Sequence, residues 1–107
     1  MSALTRLADA VEAGTATDFQ FYTFRDGLSG TVAETKTMIR AYNGSLDAAK
    51  ALHEAVLPWW DWSVDNIGRS QFCAVVYDGA KTISAFNHNP ARALLLAIIR
   101  ALAQVQG

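Results

Sequence analysis

Residues 59–64 read Trp59-Trp60-Asp61-Trp62-Ser63-Val64, and here the apolar pattern of the chain changes from a helical period to a period of two. Successive side chains of a strand alternate, so Trp60, Trp62 and Val64 share one face while Trp59, Asp61 and Ser63 share the other. The first set is predicted to enter a core. Immediately upstream, Pro58 closes a helical pattern that Ser45 opens as N-cap. Leu46, Ala49, Leu52 and Val56 gather on one arc of that helix, with Asp47, Lys50, His53 and Glu54 on the opposite arc. Downstream, residues 71–77 and 81–86 give two further strand patterns joined through Asp78-Gly79-Ala80, where Gly79 can supply a positive φ. This hairpin is placed at the centre of the sheet. Asn89 then caps a final helix with Pro90 at its first position, where the amide that proline lacks would have no partner anyway. That helix is predicted to run to about Gln104. Only Arg92, Arg100 and Gln104 mark a narrow wet stripe on it, so it is expected to lie across the sheet as the main core element.

Working toward the N-terminus, residues 2–13 repeat apolar positions at helical spacing and meet Gly14, a residue suited to end a helix in the left-handed region. Residues 19–24, Phe-Gln-Phe-Tyr-Thr-Phe, are rich in aromatics suited to a pleated surface and predict a strand. Residues 26–30 are turn chemistry, residues 31–37 have no clear period before Met38-Ile39, and 25–44 is the least determined part of the fold. The reading is an α+β fold: an antiparallel sheet of three to four strands packed with about three helices, N-terminal, central and C-terminal. At 107 residues the chain forms one domain, 1–107.

Composition narrows the function classes. Hydrophobic residues make up 51% and charged residues 18%, enough apolar surface to offset chain entropy. Nine Lys and Arg oppose ten Asp and Glu, a formal charge of -1, which offers no general pull toward nucleic acid or anionic lipid. Cys73 is the single cysteine, which excludes an intramolecular disulfide and a thiolate-rich zinc site. The first helix interleaves Arg6, Asp9 and Glu12 with its apolar residues, unlike a signal peptide. The longest apolar run, residues 93–99, is far short of the roughly 20 residues that span a bilayer. A cytoplasmic protein with no membrane partner is expected.

No catalytic group can be assembled. His53 and His88 stand 35 residues apart with no acidic or thiol cluster, and His53 is predicted to be solvated on the polar arc of its helix. Cys73 is expected to be a small buried thiol. Asp61 and Asp65 read as solubility rather than acid-base chemistry. Gly27-Leu28-Ser29-Gly30 lacks the spacing and the lysine of a phosphate loop. The chain is read as non-enzymatic, with no metal and no cofactor. The stronger lead is aromatic: alternation turns Trp59 outward beside Asp61. The favoured expectation is that the first or second helix covers it; left uncovered, a ring of this size marks a partner surface.

The Ser45-Leu46-Asp47-Ala48-Ala49 helix start, the Trp-rich strand, the hairpin, and the closing run from Asn89-Pro90-Ala91 to Ala101 together resemble a group of small phage and prophage proteins. That group shares an S-L-D-A-A helix start and a closing T-P-A-L-A-L helix, with Asn89 here in place of the threonine. The resemblance covers about 60 residues and implies a phage, prophage or gene-transfer setting more than a chemistry. It supports a first expectation: a small protein that binds and blocks a host protein complex, such as a CRISPR effector, through a surface containing Trp59, Asp61, Asp26 and Arg40. The alternative is a small-ligand or nucleotide-sequestering protein, with Arg92 or Arg100 holding phosphate. Either is compatible with a monomer or a small homo-oligomer, and direct nucleic-acid binding is not expected.

Overall fold

The computed structural model describes residues 3–22 and 32–106. Helix α1 spans Ala3–Ala13, a short helix α2 covers 18–22, and α3 (Val32–Tyr42) and α4 (Leu46–Val56) precede the strands. Strands β1 (Asp61–Gly68), β2 (Gln71–Tyr77) and β3 (Thr82–Asn87) form one antiparallel sheet in the order β1-β2-β3, and α5 (Pro90–Gln106) closes the chain. This is the α+β arrangement that the strand patterns predict, with three strands and five helices among the described residues.

Local chemistry explains most boundaries. The α1 helix ends as a Schellman motif: Gly14, at φ +75°, donates to the Val11 carbonyl at 3.2 Å and Thr15 donates to that of Ala10 at 2.9 Å. The same device ends α3, with Gly44 at φ +108° and Ser45 donating to the Arg40 carbonyl at 3.0 Å. Ser45 then caps α4 by accepting from the Ala48 N–H at 3.1 Å. Asn89 caps α5 twice over, its Oδ1 accepting from the N–H groups of Ala91 at 2.9 Å and Arg92 at 3.1 Å. In the β2–β3 connection the Asp78 carboxylate accepts from the backbone N–H groups of Ala80 and Lys81, which holds it below the ordinary aspartate range.

Two elements correct the sequence reading. Residues 18–22, predicted as part of a strand over 19–24, are helical; residues 23 and 24 lie outside the described residues. Thr17-Asp18-Phe19-Gln20 is a capping box: Gln20 Oε1 accepts from the Thr17 N–H at 2.9 Å, and Thr17 Oγ1 lies 3.4 Å from the Gln20 N–H. That reciprocal pair satisfies two amide donors and overrides the strand preference of the phenylalanines. Within the least determined stretch, 25–44, α3 buries Thr35, Met38, Ala41 and Tyr42, a helical spacing disguised by an inward-facing threonine.

The register defines two faces of the sheet. The inner rows are Trp62–Val76–Ile83, Val64–Ala74–Ala85 and Asn66–Phe72–Asn87. Against them lies α5, in contact with all three strands and also with α1, α3 and α4. Flanked on every side, this helix buries each residue from Ala93 to Ile99, which accounts for its nearly continuous apolar circumference. The sheet centre is β2 alone, so β3 is an edge and the predicted central placement of the hairpin is corrected. No helix among the described residues is long and apolar enough to cross a membrane.

Candidate functional site

The chain leaves α4 through a tight corner. Leu57 donates to the His53 carbonyl at 2.8 Å and accepts from the Trp60 N–H at 3.0 Å, closing a turn over residues 57–60. Pro58 sits at the second position of that turn, which its fixed φ suits, and Trp59 occupies the next position at the outer corner. Leu57 is buried, and Trp60 packs against the core from its rim. Trp59 between them is 91% exposed. The expectation that a helix covers Trp59 is therefore corrected: a side chain at a turn corner has no neighbouring row to pack against. Trp60, Trp62 and Val64 do lean on the core as predicted, each partly buried.

Beyond the corner the outer face of the sheet carries the rows Asp61–Tyr77–Thr82, Ser63–Val75–Ser84 and Asp65–Cys73–Phe86. Tyr77 and Phe86 are exposed large apolar side chains on this face, and Ile67 is exposed beside a register shift between Asn66 and Gly68. Cys73 is half-buried between Asp65 and Phe86, not enclosed, because its row faces away from α5. Asp61 and Asp65 stand four residues apart along β1, about 13 Å at strand rise, too far to share a proton.

His53 is a second correction. Instead of facing solvent it is 2% exposed, and neither ring nitrogen has a hydrogen-bond partner. Its ring centroid lies 6.4 Å from that of Trp62, whose other contacts include Lys50 Nζ at 5.6 Å. The buried arc of α4 is Ala48, Ala49, Leu52 and His53, turned by a fraction of a helical step from the arc that Leu46 and Val56 suggest. Burial lowers the His53 pKa below 6.5, opposed in part by the Glu54 and Asp61 carboxylates.

Arg92 and Arg100, the candidate phosphate-holding residues, each join two helices. Arg92 donates through Nε to the Tyr42 carbonyl at 2.6 Å, and its guanidinium carbon lies 4.1 Å from the Tyr42 ring centroid. It closes the end of α3 onto α5. Arg100 pairs with Glu12 at 2.7 Å, joining α5 to α1. Eight residues apart on one helix, the two side chains start about 12 Å from each other, which does not converge on one phosphate. Arg40 is exposed, 3.4 Å from Thr37 Oγ1, at the N-terminal end of α4 beside Ser45 and Asp47. Trp59 and Asp61 follow the other end of that helix, about 16 Å away by helix rise, so the predicted interface residues split into two groups. Asp26 lies outside the described residues. Among the described residues no group of three His, Cys, Asp or Glu side chains could hold a metal ion.

No family model, curated protein or solved structure matches this chain.

Proposed function

We propose that this protein is a binding module that docks onto another protein through Trp59 and the adjoining outer face of the sheet. The observation that carries the reading is the 91% exposure of Trp59 between two residues that pack inward. A solvent-facing indole is the kind of anchor that dominates interface energetics, and desolvating it against a partner pocket is favourable. Tyr77, in register with Asp61, extends the apolar surface from the corner onto the sheet. For the partner class we follow the resemblance carried by the Ser45–Ala49 helix start and the Asn89-Pro90 closing helix, and propose a host protein complex whose action is blocked by the docking, an antiviral effector being the favoured kind.

The test uses purified protein and the Trp59→Ala variant as baits in host lysate, followed by an activity assay of whatever complex is captured. Trp59 makes no core contact, so the variant is expected to unfold within about 0.5 kcal/mol of the wild type. Its affinity for the captured complex should fall at least tenfold, since an interface tryptophan typically contributes about 2 kcal/mol or more. Equal capture by both baits, or capture without inhibition, overturns the blocking role.

A further inference from the structure

We infer that His53 is an acid-sensitive latch on the corner that carries Trp59: protonation of its ring releases it from Trp62 and favours an open form of residues 57–60, with the core of the domain still folded. His53 holds the corner on both sides. Its carbonyl accepts from the Leu57 N–H at 2.8 Å, and the Leu57 carbonyl accepts from the Trp60 N–H at 3.0 Å, so the turn hangs from the His53 peptide. Its ring lies against Trp62, the second residue of β1, with centroids 6.4 Å apart. One residue thereby fastens the strand that follows the turn to the helix that precedes it.

The latched form has no place for a proton. The ring is buried and neither nitrogen has a hydrogen-bond partner, so an imidazolium there would carry two donors and a charge with no acceptor. A released ring does have a place. His53 stands in the last turn of α4, where unpaired carbonyls and the helix dipole favour a cation. The exposed carboxylates of Glu54, the next residue, and Asp61, the first of β1, act on the ring in favour of its charged form. Of the other charges on and around α4, Asp47 stands in its first turn, Lys50 lies over the Trp62 ring, Lys36 and Arg40 of α3 are exposed, and Arg92 and Arg100 of α5 are held at the Tyr42 carbonyl and Glu12. Opening the corner also sacrifices little packing. Trp59 is exposed, Trp60 and Trp62 are only partly buried, and β1 is an edge strand paired on one side. The ring titrates near an ordinary 6.5 once released and lower while buried, so the open form gains as pH falls through 6.5. The inference is independent of what Trp59 binds.

Amide hydrogen exchange of the full chain, followed residue by residue by NMR from pH 7.5 to pH 5.5 and expressed relative to intrinsic rates, reads the latch. The Leu57 and Trp60 N–H groups are the two donors of the turn. At every pH they should be far less protected than the amides of the buried stretch 94–99 in α5, because the corner opens without the core. Their protection should fall about tenfold across that range, the limit for a released ring that titrates near 6.5. His53→Leu should abolish the fall, and His88→Gln, at the exposed second histidine, should leave it intact. Protection at Leu57 and Trp60 that is indifferent to pH, or that equals the protection of α5 so that only whole-molecule unfolding exposes them, overturns the proposal. So does a fall that persists in His53→Leu. The first two outcomes are read in the wild type, so the test decides even if His53→Leu fails to fold.

Discussion

His53 presents an imidazole to the α4–β1 contact with no hydrogen bond to either nitrogen, so its protonated form is poorly accommodated. The sign follows from linkage. With its folded pKa below the unfolded 6.5, the unfolded chain holds more protons than the folded one as pH falls through 6.5. The stability associated with a neutral His53 is therefore complete above that pH and declines below it. Urea midpoints measured from pH 8 to pH 5 should show this decline, and His53→Leu should flatten it, because an apolar side chain has no ring nitrogens to desolvate. Asn89 is a residue of the opposite kind, with its Oδ1 fully used. Asn89→Ala should cost about 1 kcal/mol in a denaturant titration, and Asn89→Ser considerably less. The difference in legibility between these two positions is physical. A cap is written within four residues, and Asn89-Pro90 and Ser45 were readable for that reason. The burial of His53 depends on where β1 crosses α4, which no helical wheel contains, although its adjacency to Ala49 and Leu52 on the wheel was a usable signal.

The elements themselves divide by the same criterion. β1, β2 and β3 were visible in the sequence because alternation is a property of the strand alone, and α5 because its run of buried residues is long enough to outweigh any local ambiguity. The turn into helix at 18–22 was encoded too, by Thr17 and Gln20 in a capping box, but aromatic content argued for a strand and the short polar signal decided the outcome. In α3 the buried Thr35 masked a period that Met38, Ala41 and Tyr42 otherwise keep, and the closing Gly44 was its clearest mark. Packing between elements supplies a further prediction. Ala74 and Ala85 form a fully buried cross-strand pair on the face that α5 covers. Enlarging one side chain there forces the helix outward, so Ala85→Leu should destabilise by about 1–3 kcal/mol in a thermal or urea melt. Ser84→Leu, one residue along and facing outward, should leave the melt nearly unchanged.

Among the described residues, a helix enclosed by the sheet and three other helices leaves the second face of the sheet open, with Trp59 at one corner. Strand alternation anticipated an outward Trp59, but the residue precedes β1 and owes its exposure to the turn, and alternation could not say whether a helix would return to cover it. That depended on the turn over 57–60, which leaves Trp59 exposed at its corner. The candidate site was thus half legible: Trp59 and Asp61 fall together, whereas Arg40 belongs to the far end of α4, and Arg92 and Arg100 serve to join helices. The central claim is that Trp59 is a docking anchor for another protein. The most direct measurement places a photo-crosslinking phenylalanine analogue at position 59 and irradiates the folded protein in host lysate, with unlabelled wild type and Trp59→Ala as competitors. The account predicts one dominant protein adduct, suppressed by wild type and untouched by the Trp59→Ala competitor. A smear of unrelated adducts, or equal suppression by both competitors, would contradict it.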